Sequence, residues 1–166
     1  MTHCGRGLLS LGFLVFGIAH AWSQTVTPTG AASGKLCVAR IANSSGKPVN
    51  VENLEQELVQ QLVHRKINAV AAPTMTMLAS HLALTPSNRE AFPALKCDYM
   101  LLTEIASTAV NDRRSVALRF SIFTKARQLL PEAIIPADAE DPSQAAMAAV
   151  PAVSDRVASV LTRKNR

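Results

Sequence analysis

The apolar run KLCVARIA, residues 35–42, followed shortly by NVENLEQELVQQLVHRK, constrains the fold more than any other feature of the chain. The first segment is short, nearly continuous in apolar character, and bounded by Gly34 and by Asn-Ser-Ser-Gly-Lys-Pro. That is the pattern of a strand buried on both faces, with Arg40 as its one departure. In the second, Val51, Leu54, Leu58 and Leu62 recur at helical spacing and form one stripe. Asn50 stands at the N-cap, Val49 and Leu54 at staple positions, Glu52 in the first turn, and Arg65 with Lys66 in the last. A helix over 51–66 is predicted, closed by Asn68. A buried strand that feeds such a helix returns to its sheet by a right-handed crossover, so the next strand runs parallel. AVAA, residues 69–72, ended by Pro73, is the candidate.

The later segments complete a sheet. CDYMLLTEIAST, 97–108, reads as a long central strand. RSVALRFSIFTK, 114–125, alternates, with Val116, Leu118, Phe120 and Ile122 opposite Ala117, Arg119, Ser121 and Phe123. The short VNDRR between them predicts a hairpin. EAII, 132–135, lies between Pro131 and Pro136 as a brief further strand. In residues 74–96, Met75, Leu78 and Leu82 share a helical face and SNREAF has the capping-box form, while Pro93 argues for two short helical pieces. A last helix starts at DPSQ, with Asp141 as cap and Pro142 in the first position. Its stripe is Met147, Val150, Val153, Val157 and Val160, kinked or divided at Pro151. The fold class expected is α/β: a two-layer sandwich, with a mixed sheet of about four to five strands and helices packed on one face. A single domain over 35–163 is expected.

The amino terminus points to export. Arg6 precedes the apolar run Leu8 to Ala19, and small residues at Ala19 and Ala21, or Ala21 and Ser23, fit cleavage before Trp22 or before Gln24. The run falls short of the ~20 residues needed to span a bilayer. Residues 1–23 read as a signal peptide and 24–34 as a flexible leader, giving a periplasmic or secreted chain with no stable membrane anchor after cleavage. Cleavage removes Arg6 and no acid, so the formal charge of +5 falls to +4. Such mild basicity helps at an anionic envelope surface. Without a basic arm, and with few aromatic residues for stacking, it does not indicate nucleic acid.

The chemical motifs are sparse. Ser-Ser-Gly-Lys at 44–47 sits where a phosphate-cradling loop would, between strand and helix. The first glycine of that motif would fall at Ile41 and the magnesium-binding hydroxyl at Pro48. His64 and His81 are the histidines left after cleavage, and neither has a partner at ligand-pair spacing. No nucleophile elbow is present. Neither a cofactor, a metal nor a catalytic residue is expected.

Two constellations on strands remain. Cys37 and Cys97 form an even pair in an exported chain, either a disulfide or two buried thiols. Period-two alternation groups Cys37 with Ala39 and Ile41, and Cys97 with Tyr99 and Leu101, on the helix-covered face. On the opposite face, Arg40, Glu104 and Arg119 form a charged row, read first as ordinary surface ion pairing and second as a recognition surface.

A strand ending in ARIANSSGK, the amphipathic NVENLEQELVQQLVHRKINAV, then CDYMLLTEI and a hairpin resemble a known envelope family. It is the α/β domain of the TolB amino-terminal, curli-secretion lipoprotein and penicillin-binding-protein-activator type, over about residues 35–125. The resemblance implies a non-catalytic periplasmic domain that works by contacting other envelope proteins. The chain departs from it in lacking a lipoprotein cysteine, since Cys4 precedes the apolar run, and in lacking a propeller, an evident pore-forming strand pair or a long partner-binding tail. The expected role is an accessory or adaptor domain acting on envelope proteins through its sheet edge or a surface around residues 97–125. Arg113, Arg114, Arg119, Lys125 and Arg127 are the candidate contacts. The alternatives are a small exported hydrolase joining His64 or His81 to Asp98 or Glu104, and a small-ligand or peptidoglycan-binding module centred on Asn43 to Lys47.

Overall fold

The computed structural model describes residues 34–72, 92–110, 113–137 and 139–163. The expected signal peptide, nearly all of the leader and most of the helical pieces at 74–96 lie outside the described residues. The elements are β1 (Lys35–Ala39), β2 (Ala42–Asn43), α1 (Val51–His64), β3 (Asn68–Ala72), β4 (Tyr99–Val110), β5 (Arg113–Phe123), β6 (Gln128–Ala137) and α2 (Pro142–Arg163). They build one mixed sheet of six strands in the order β3-β1-β4-β5-β6, with β2 beside β4. β1 is parallel to β3 and β4, and the β4–β5 and β5–β6 pairs are antiparallel. The two helices cover one face, α1 against β3 and α2 against β5 and β6. This is the expected α/β class.

Local chemistry sets the helix ends. Asn50 accepts a hydrogen bond from the Asn53 N–H at 3.1 Å, and Asp141 accepts one from the Ser143 N–H at 3.0 Å. Each satisfies an otherwise orphaned donor. α1 stops at His64, short of the expected Lys66, because Lys66 adopts φ 65 and turns the chain toward β3. Pro151 does not divide α2, which runs as one helix to Arg163. Leu54, Leu58 and Leu62 of α1 meet Val150, Val153, Val157 and Leu161 of α2 over Leu36, Val38, Leu101, Ile105, Val116, Leu118, Phe120 and Ile122 of the sheet.

The run at 35–42 is not one strand. Val38 pairs with Leu101 and Ala42 with Glu104, so four steps on this strand match three on β4, a bulge of one residue at Arg40–Ile41. Leu36 and Val38 face the helices, and unbroken alternation would drive Arg40 into that core. The bulge instead leaves Arg40 exposed and buries Ile41, whose N–H, displaced from the ladder, donates to Glu55 Oε1 at 2.7 Å. β6 is also longer than expected, 128–137 rather than 132–135. It is the last strand in the sheet order, where proline is tolerated because its missing N–H need not face a neighbour.

Candidate functional site

The face of the sheet away from the helices carries the remaining chemistry. At its parallel end, Cys37 and Cys97 form a disulfide, with Cα atoms 5.9 Å apart. The bridge is buried with Ala39, Ala72, Phe92, Met100, Leu102 and Phe123. This corrects the expected placement on the helix-covered face. Cys37 pairs in register with Met100, not with Cys97. Cys97 precedes β4 and follows Lys96, which has φ 51, so strand alternation does not govern it. The disulfide crosses diagonally from β1 to the segment entering β4. That segment is further tied by Asp98, whose carboxylate accepts from the Lys35 N–H at 2.8 Å and whose own N–H donates to the Lys35 carbonyl at 2.9 Å. Gly34 is required here, since a Cβ would lie 2.8 Å from the Tyr99 ring.

Further along the same face stands a polar chain. Glu104 and Arg119 are directly opposite on β4 and β5, and Arg119 Nη1 lies 3.2 Å from Glu104 Oε2. The Ser44 hydroxyl donates to Glu104 Oε1. The other edge of the guanidinium donates to both oxygens of Glu132, at 2.9 Å from Nε and 2.6 Å from Nη2. Arg119 holds Glu132 below the ordinary carboxylate range through these hydrogen bonds, and Glu132 in turn raises Arg119. The reading as surface ion pairing is overturned for Glu104, whose side chain is only 1% exposed against 28% for Arg119. A buried carboxylate must be fully paired, and here each oxygen has a donor. Arg40 stands outside the row because of the bulge.

The candidate contacts do not form one patch. Arg119 is committed to two carboxylates. Arg113 and Arg114 begin β5 and Lys125 and Arg127 follow its end, separated by a strand of about 33 Å. Lys125 and Arg127 share a tight turn closed by the Thr124 N–H to the Arg127 carbonyl at 2.8 Å, and both are exposed.

The loop 43–47 is closed on itself. Asn43 Oδ1 accepts from the Ser45 N–H and hydroxyl, Ser45 Oγ accepts from the Lys47 N–H, and the Ser44 N–H donates to the Ile105 carbonyl. Gly46, at φ 67, supplies the left-handed corner. Donors that would wrap a phosphate are spent on the loop. A concavity lies elsewhere, an open cleft of ≈ 520 Å³ lined by Glu52, Glu55, Gln56, Val59, Gln60 and Ala71. His64 is exposed at the end of α1, on the helix side, with the sheet between it and Glu104. His81 lies outside the described residues. Among the described residues there is no cluster of His, Cys, Asp and Glu able to hold a metal, and no helix long and apolar enough to cross a membrane.

Neither a protein-family model nor a curated protein matches the sequence. Solved structures do. This chain shares its fold with PelC. The PelC dodecamer from Paraburkholderia phytofirmans superposes with a TM-score of 0.52 at 16% identity, over 81% of this chain and 91% of that one. TolB from Acinetobacter baumannii is similar at a TM-score of 0.49 and 16% identity, over 77% of this chain but 28% of TolB. Lipoprotein GNA1162 from Neisseria meningitidis is similar at 0.48 and 14%, over 75% and 96%. At 16% identity the likeness to PelC is one of fold.

Proposed function

We propose that this chain is an exported accessory domain of the cell envelope that acts by protein–protein contact and carries no catalytic site. The observation that carries this reading is the spent chemistry of the face opposite α1 and α2. Its thiols are joined, both oxygens of its buried carboxylate are bonded, and the loop beside it has turned its donors inward. Such groups hold structure and do not turn over substrate. The disulfide fits an oxidising compartment. The shared fold of PelC, which is a dodecamer, supports a life of contacts between chains.

The contact falls on the open edge of the sheet. β6 is the last strand of its order, ten residues long, and displays Ile134, 56% exposed, between the exposed Glu132 and Pro136. An edge strand with an apolar side chain outward suits addition of a strand from an envelope protein. A photoreactive residue at Ile134, expressed in the producing cell, tests this. The expected outcome is a discrete adduct with an envelope protein or a second copy, an exported chain cleaved near Trp22 or Gln24, and oxidised cysteines. A chain kept in the cytoplasm with reduced thiols, or purified protein that hydrolyses ester, amide or glycoside substrates, would overturn the reading.

A further inference from the structure

The topology gathers cations at one end of the molecule. β1, β3 and β4 are parallel, so they all begin at the same end, and the β5–β6 turn lies there because Met100 pairs with Phe123. The helices finish there too. Asn50 and Ser143 meet where both helices start, Arg65 and Asp155 meet further down, and α2 continues about 12 Å past Asp155. This end therefore presents Lys66, Lys96, Lys125, Arg127 and Arg163, all exposed. Among the described residues the acids near it are committed: Asp98 to the Lys35 N–H and Asp155 to Arg65. At the opposite end β5 begins with Arg113 and Arg114, and Arg40 and Lys47 stand there with Glu52, Glu140 and Asp141 by the helix starts, so four cations are offset by three acids.

Helix dipoles explain Lys66 and Arg163 but not Lys125 and Arg127, which sit on a hairpin turn. Lys66 and Lys96 are, among the described residues, the non-glycine positions with positive φ, at 65 and 51. A left-handed site costs a residue bearing a Cβ about 1 kcal/mol, and asparagine or glycine fits it better. Both such sites carry lysine and both lie at this end. Gly34 leads into β1 and Arg163 closes α2 at this end.

We propose that this end is a docking surface for an anionic phospholipid bilayer. Cations dispersed over separate turns match the diffuse charge of a lipid surface, and Val63, 51% exposed in the last turn of α1, adds an apolar contact among them. This surface is separate from the β6 edge and does not depend on it.

Co-sedimentation of the full, oxidised chain with vesicles tests the proposal. Phosphatidylcholine alone is compared with phosphatidylcholine containing about 30% phosphatidylglycerol, at about 50 mM and about 500 mM salt. Partitioning onto the anionic vesicles is expected to exceed the neutral value by about a hundredfold or more at low salt, and to fall to it at high salt. K125Q/R127Q should lower anionic binding on the order of twentyfold. R40Q/K47Q removes the same formal charge from the far end and should change it by less than about twofold. Equal losses in both pairs would reduce the effect to net charge and overturn the proposal. So would binding to dextran sulfate without binding to anionic vesicles, which would make a soluble polyanion the partner. Unchanged melting temperatures confirm that each variant is folded.

Discussion

Phe120 and Arg119 are adjacent on β5, yet they point to opposite faces of one sheet and are held by unlike physics. The face under the helices is apolar from β3 to β6 and is fixed by shape and area. The other face is fixed by discrete bonds: a disulfide at one end, and a chain from Ser44 through Glu104 and Arg119 to Glu132 at the other. The lesson is one of tolerance. An apolar face accepts repacking by other side chains of similar volume, whereas a bonded face fails wherever one partner is lost. The helix-covered side defines the fold, and the bonded side pins the loop 43–47 and the entry to β4 against it.

The largest effect should come from the apolar face. Phe120→Ala, at a fully buried position under α2, is expected to cost about 3–5 kcal/mol in chemical denaturation. A loss below about 1 kcal/mol would mean that the helices rest on the sheet without packing against it. Next comes the disulfide. Replacing Cys37 and Cys97 together by alanine opens a constraint across a separation of 60 residues, with an expected loss of about 4 kcal/mol. Proteolysis should then cut first near residues 92–97, the segment the bridge holds.

These two variants also mark what the sequence made legible. The stripe of α1 and its Asn50 cap, the alternation of β5 and the hairpin could be read directly, because each is a local period whose buried face follows from its own residues. The faces of the cysteines could not. Alternation fixes a face only inside a strand, and Cys97 stands outside one, after a left-handed Lys96. The bulge at Arg40 was hidden for a related reason. Its cause is the conflict between a buried parity and a guanidinium, relieved by Glu55 from a helix fourteen residues away. Glu132, the third member of the charged row, is not legible in the sequence because the prolines on either side of EAII read as the bounds of a short strand. On an edge strand they sit inside it.

The bonded face makes a graded prediction. Arg119→Met leaves Glu104 buried with Ser44 as its remaining donor, and should cost about 3 kcal/mol, the low end for breaking a buried pair because Arg119 is itself partly exposed. Glu132→Gln removes the outer, 37% exposed partner and should cost only about 0.5 kcal/mol at neutral pH. The Glu132 pair also carries a pH dependence. Arg119 depresses the carboxyl of Glu132 in the folded state, so the stability it adds is present above the unfolded carboxylate value and is lost as pH falls through the lower folded one. Glu132→Gln should therefore converge with the parent chain as pH falls below the ordinary carboxylate range. A constant gap across that range would assign the loss to packing.

The last effect has the opposite sign and breaks the contrast from within. Thr103 lies on the apolar face of β4, opposite Phe120 and fully buried. Its hydroxyl has no hydrogen-bond partner among the described residues, a polar defect in the face that otherwise has least need of bonds. Thr103→Val keeps the branched shape, deletes the unsatisfied oxygen and should stabilise the chain by up to about 1 kcal/mol. Melting would rise by about 4 °C, measured by calorimetry on the oxidised protein. A fall instead would mean that the hydroxyl is bonded in solution, and that the helix-covered face also relies on a discrete polar contact.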